Sequence, residues 1–265
     1  VAQRLRLCYA KRGRLRFTSH RDFQRAFERA LRRAAVPMAY SAGFSPHPKV
    51  SYAGAAPTGV ASEAEYLEIA LTDVVDPARL RDRLDGCLPP GLDVLEIVEA
   101  RTSGLVERLE ASIWEITLPG LDHLRVTAAI DQFMAAEQVP VQRLTKTGVR
   151  SFDARHAVVK MQAKQCGADR NWTPCAILRV VVRHGTPAVR PDDVLSGLRH
   201  VAELAPPAPA QVRRLAQGPL DAQAGTVSDP LSPDREASSA ADENAKQAAV
   251  SDAGGGTAVG VSARP

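Results

Sequence analysis

Gln3-Arg4-Leu5-Arg6-Leu7-Cys8-Tyr9-Ala10 and, after a short turn, Ser19-His20-Arg21-Asp22-Phe23-Gln24-Arg25-Ala26-Phe27-Glu28-Arg29-Ala30-Leu31-Arg32-Arg33 set the first two elements of this chain. In the first stretch Leu5, Leu7 and Tyr9 alternate with Arg4, Arg6 and Cys8, the period of a strand with one buried face. In the second, Phe23, Ala26, Phe27, Ala30, Leu31 and Ala34 recur at helical spacing and form a core-facing stripe. Ser19 with Asp22 three residues on has the pattern of a capping box, which supplies partners for free amides at a helix start. Pro37 closes the helix. Leu15-Arg16-Phe17 is expected to add a short strand between the two.

Working outward, Tyr40 to Lys49 is too rich in Gly and Pro for a helix or a central strand. Val50–Tyr52 and Tyr66–Leu71 read as strands. Asp76-Pro77 opens a second helix over Ala78–Leu88, with Pro at the first helical position, and Leu92–Val98 returns as a strand. This order, strand-helix-strand-strand-helix-strand, is the ferredoxin-like pattern. It recurs from residue 112: a strand at Ser112–Leu118, a helix over Leu121–Glu137, and strands at Val141–Leu144, Ala157–Ala163 and Ala176–Val182. A helix over Asp192–Leu204 and a strand at Gln211–Leu215 complete it. The expected fold is α+β, two tandem ferredoxin-like units over residues 1–104 and 105–218. Beyond Pro219 almost no large apolar residue occurs, so residues 219–265 are expected to be a disordered tail.

The 265 residues are 45% hydrophobic and 24% charged, enough for a core. No run approaches the roughly 20 apolar residues of a membrane span, and the opening residues lack the apolar run of a signal peptide. A cytoplasmic protein without membrane association is expected. Cys8, Cys87, Cys166 and Cys175 are scattered without CxxC or CxxxCxxC spacing. Cys166 and Cys175 with His156 and His184 offer a faint zinc set, but ordinary reduced thiols are the plainer reading. No phosphate-binding glycine loop, HExxH or GxSxG is present. No cofactor and no metal are expected for this chain.

The net charge of +4 conceals a gradient. Residues 1–50 carry twelve Lys and Arg against only Asp22 and Glu28, a net of +10, whereas residues 221–265 are acidic. Arg21, Arg25, Arg29 and Arg32 fall on one side of the predicted helix, a stripe suited to a polyanion and above all to nucleic acid. An arginine-rich composition alone also produces such faces. In the loop Gly43-Phe44-Ser45-Pro46-His47-Pro48-Lys49, two prolines hold the backbone extended on either side of His47. Phe44 offers an aromatic face, and Lys49 a further charge. His20 sits at the helix start, where free amides favour phosphate. Both histidines also fit plain structural roles, and Phe44 a core plug. Lys146, Arg150 and Arg155 form a second basic, turn-centred patch, with Asp153 placed to orient one arginine by a bidentate contact; a lone solvated hairpin with a salt bridge is the plainer reading. Glu63, Glu65 and Glu68 read as solvated carboxylates at a strand entry.

Residues Arg14–Ala35, Tyr40–Lys49, Gly59–Leu67 and Lys146–Arg155 together resemble the radical-SAM-linked protein family, bacterial proteins encoded beside or fused to a radical SAM enzyme. The resemblance covers roughly residues 3–215. Lacking CxxxCxxC, this chain leaves the iron–sulfur chemistry to a separate radical SAM enzyme as its partner. The turn around Lys146 holds fewer lysines than is usual in that family. The leading expectation is an accessory RNA-binding protein that presents a substrate to that enzyme through the arginine helix and the His47 loop. One alternative is a metal-independent RNA-cleaving or RNA-modifying enzyme using His20 and His47 in general acid–base catalysis. Another is a protein-docking module without nucleic acid.

Overall fold

The alternating segment at the N-terminus is β1 (Gln3–Lys11), and Leu5 and Leu7 are fully buried as their spacing requires. This is a computed structural model, which describes residues 1–146, 148–167 and 174–253, with backbone alone for 242, 245, 246 and 248–253. After β1 the chain makes a 3₁₀ turn at Gly13–Phe17, where the sequence suggested a strand. Leu15, Arg16 and Phe17, between the Arg12-Gly13-Arg14 turn and the Ser19 cap of α1, pair with no strand of the sheet. Next comes α1 (His20–Arg33), whose Ser19 cap accepts a hydrogen bond from the Asp22 amide at 3.1 Å. Phe23, Phe27, Ala30 and Leu31 are its buried side. There follow β2 (Val50–Ala53), β3 (Ala61–Leu71), α2 (Pro77–Asp85) and β4 (Leu92–Glu99). Asp76 caps α2 by accepting from the Arg79 amide, with Pro77 at the first helical turn.

The second half runs β5 (Ala111–Pro119), α3 (His123–Ala135), β6 (Pro140–Thr145), β7 (Gly148–Asp153), β8 (Val158–Gln165), β9 (Cys175–Arg183), α4 (Pro191–Ala202) and β10 (Gln211–Gly218). β6 and β7 pair only with each other, as a hairpin apart from the main sheet. In the sequence β7 has no strand of its own, only a basic, turn-centred patch over 146–155 whose plainer reading is a solvated hairpin.

Strand order is β4-β1-β3 with β2 on the free side of β3 in the first half, and β10-β5-β9-β8 in the second. Within each half neighbouring strands are antiparallel. β3 and β10 meet in a short parallel pairing, Ala61 with Arg213 and Ser62 with Arg214, which makes one eight-stranded sheet. The architecture is mixed α+β, with five helices among the described residues and a mostly antiparallel sheet. One apolar core lies between this sheet and α1 and α2, built on Leu5, Leu7, Phe27, Leu67 and Leu84. A second surrounds Ile116, Phe133, Leu178 and Leu198 between the sheet, α3 and α4.

The expected disorder beyond Pro219 is corrected over residues 219–253. β11 (Leu220–Asp221) and β12 (Thr226–Val227) form a small hairpin, and α5 (Ser232–Ala253) follows. Two residues explain why so polar a segment holds. Leu231, fully buried, joins Ala53, Tyr66, Val98, Leu105 and Leu109 in a third apolar cluster. Asp234, also fully buried, pairs with Arg6 at 2.6 Å and Arg108 at 3.1 Å. Arg6 therefore faces away from the α1 side of the sheet yet is not solvated. The same expectation for residues 254–265 lies outside the described residues.

Candidate nucleic-acid interface

Burying Phe23, Phe27 and Leu31 turns Arg21, Arg25, Arg29 and Arg32 to solvent, and all four are exposed. None of them is ion-paired among the described residues, whereas arginines elsewhere are paired repeatedly. Arg4 and Arg6 meet Glu68, Arg12 meets Glu63 and Asp93, and Arg213 meets Glu115. The charge of the α1 stripe is thus left uncompensated by the fold.

The loop after α1 is fastened at its base. Tyr40 bridges Pro48, the Ser41 amide donates to the His47 carbonyl at 2.9 Å, and the His47 amide donates to Ser41 Oγ at 3.0 Å. These bonds occupy the backbone of His47 and leave its ring exposed, against a cavity of about 220 Å³ shared with Glu28, Arg32, Met38 and Tyr40. Arg32 and His47, fifteen positions apart, therefore face one recess. Gly43 takes the turn at φ +121°, where a side chain would be strained. Phe44 beside it stands wholly in solvent and plugs no core. Phe17 is 59% exposed, with the Arg16 guanidinium 4.7 Å from its ring centre. Lys49 is exposed where the loop enters β2. Exposed aromatic rings among unpaired cations are the elements of a single-strand nucleic-acid surface.

His20 lies elsewhere. Its ring meets Tyr52 edge-on at 5.0 Å, accepts at Nε2 from the Gln24 side-chain amide at 3.1 Å, and borders a different cavity with Tyr9, Lys11 and Glu65. The two histidines do not share a recess.

The second basic patch divides into tip and base. Lys146 and Arg150 are exposed near the tip of the β6–β7 hairpin, which packs on α4. At its base, Asp153 accepts from the amides of Val139 and Arg155 at 2.7 and 2.9 Å and holds His156. The Arg155 guanidinium donates to the carbonyls of Met134 and Val158. The expected bidentate Asp153–arginine contact is corrected accordingly: both side chains are committed to closing the end of α3 and the following turn. Burial raises the Asp153 carboxyl, but the bonds from Val139, His156 and Arg155 outweigh it and hold the group below its usual range.

The model of a family described as an uncharacterized protein conserved in bacteria (DUF2344) matches residues 4–191. The chain belongs to that family. No curated protein matches it. Among solved structures, one described as an unknown protein from Galdieria sulphuraria is similar at 11% identity, over 82% of this chain and 99% of its own, with a TM-score of 0.23. The DUF2344 match takes in α1, the His47 loop and the hairpin, but stops short of β10 and the C-terminal segment.

Four features escaped the sequence reading. Glu65, read as solvated, is buried against Arg214 of β10, a partner 149 residues away. Lys11, counted only as charge, is buried beside it. Asp234 is the anchor of a segment that composition alone marks as unfoldable. Cys166 and Cys175 are joined as a disulfide rather than standing as separate thiols, so neither is a thiolate for zinc. Of these signals only the cysteine spacing was visible locally. Among the described residues no helix is long and apolar enough to cross a membrane.

Proposed function

We propose that the chain is a cytoplasmic accessory protein of two tandem ferredoxin-like units whose first unit binds RNA and presents it to a radical SAM enzyme on a separate chain. The fourth-first-third-second strand order of both halves supports the fold reading, with the β6–β7 hairpin as an insertion in the second. The observation that carries the RNA reading is the stripe Arg21, Arg25, Arg29 and Arg32, exposed and without ion-pair partners among the described residues. Phe44, His47 and Lys49 extend that surface beyond the end of α1, and Lys146 and Arg150 offer a second contact from the other half. The separation of His20 from His47 disfavours an RNA-cleaving pair, because acid and base must both reach one substrate within hydrogen-bond distance.

Anisotropy of a labelled single-stranded RNA tests this. Arg25→Glu with Arg29→Glu reverses two charges on an exposed face, and affinity is expected to fall on the order of 100-fold while the helical circular dichroism stays the same. His47→Ala is expected to weaken binding about tenfold, the scale of one charge-assisted contact, with no RNA turnover by either protein. Unchanged affinity in the double variant, with retention of an acidic protein partner, favours the docking module instead. Metal-free cleavage by the wild type that His47→Ala abolishes would establish the enzyme reading.

A further inference from the structure

A buried charge is costly unless a counter-charge sits against it. Among the described residues, buried Arg6 meets Asp234, buried Asp193 meets Arg143, and buried Arg214 meets Glu65. Lys11 is the exception. It is 6% exposed, forms no ion pair, and donates only to the Ala56 carbonyl at 3.4 Å. An ammonium has three N–H donors, so most of its capacity is unused. Glu65 does not supply the missing charge. One of its oxygens takes the Arg214 guanidinium, and the other accepts from the Ala56 amide at 3.1 Å. Lys11, Glu65 and Arg214 together leave one positive charge in excess.

Lys11 and Glu65, the latter already paired with Arg214, line a cavity of about 280 Å³ together with Tyr9, Thr18, His20, Phe23 and Thr58. Its size is near the lower end of the ~300–1,000 Å³ usual for small-ligand sites. Tyr9 and Phe23 are stacked at 4.6 Å and give it a rigid aromatic wall, while the two threonines add hydroxyl groups. Burial lowers the Lys11 pKa, which the Glu65 carboxylate counters and Arg214 reinforces. We propose that this cavity binds a small organic oxyanion, a carboxylate or a phosphomonoester, with Lys11 as its counter-charge. The threonine hydroxyls donate to its remaining oxygens, and its carbon skeleton packs on Tyr9 and Phe23. None of the residues assigned above to the RNA surface lines the cavity, so the site stands independently of the arginine surface.

The full chain, labelled with ¹⁵N, is titrated with inorganic phosphate and separately with acetate. Saturable shifts at the amides of Ala55, Ala56 and Thr58 are expected with at least one probe, the responsive probe naming the oxyanion class. Lys11→Met keeps the alkyl chain without the charge, and is expected to weaken that response at least tenfold. Arg25→Glu with Arg29→Glu is expected to leave it unchanged. As a measurement on the unaltered protein, the same anion is expected to slow reductive methylation of Lys11 severalfold and leave exposed Lys49 unaffected. No saturable shift with either probe, a response surviving in Lys11→Met, or one lost only in the arginine variant would each overturn the proposal.

Discussion

Asp234 shows how much one side chain can hold. Fully buried, it accepts hydrogen bonds from the Arg101 and Thr102 amides at 3.0 and 2.9 Å and from Thr102 Oγ1 at 2.7 Å, besides its two arginines. Burial raises its pKa, but the bonds from Thr102, Arg6 and Arg108 prevail and set it below its usual value. A carboxyl depressed in the folded state contributes stability in full above the unfolded pKa of about 3.9, and loses it as pH falls through the folded value. Asp234→Asn strands Arg6 in the interior and is expected to cost about 3–5 kcal/mol at pH 7. Urea titrations at neutral pH and at about pH 3 check this: the gap between wild type and variant should narrow in acid. An equal gap at both pH values contradicts the assignment.

At the scale of elements, α1 was legible because three local signals agree: the Ser19 cap, the apolar spacing and the closing proline. Ser19→Ala is expected to cost about 1 kcal/mol, the usual worth of such a cap, read as a lower denaturant midpoint at unchanged slope. No change in the midpoint would show that the cap contributes nothing. β7 was not legible. Val149 and Phe152 are too few apolar residues to mark a strand, and its pairing with β6 is set by the turn rather than by a buried face. Arg155 and Asp153 misled for a related reason. Their partners are backbone groups of Met134, Val139 and Val158, and no sequence pattern shows where a carbonyl or amide will be left open. The exposure of Arg21, Arg25, Arg29 and Arg32 was legible, since it follows directly from helical phase, whereas Phe44, in a loop without such phase, also read as a core plug.

Across the whole molecule, the succession of most strands and helices along each half could be read from the sequence, but the union of the halves could not. The junction rests on two β3–β10 residue pairs and on Arg214, which lies over Trp114 at 5.4 Å and reaches Glu65 across the seam. Such contacts join residues about 150 positions apart and leave no local trace. Glu65→Gln leaves the buried Arg214 guanidinium without its carboxylate and is expected to cost about 3–5 kcal/mol. Adding Lys11→Met should recover part of that loss, because it removes the like charge that repels Arg214. Additive destabilisation in the double variant would deny the coupling.

The stripe of unpaired arginines is the centre of the account, and salt dependence reads it most directly. Each phosphate contact to a single strand contributes about 0.7 to the slope of log affinity against log salt. RNA affinity is therefore measured over a salt series for the wild type and for Arg25→Ala with Arg29→Ala. The account predicts a steep linear fall for the wild type and a slope shallower by about 1.4 in the variant. Equal slopes for the two proteins would contradict it.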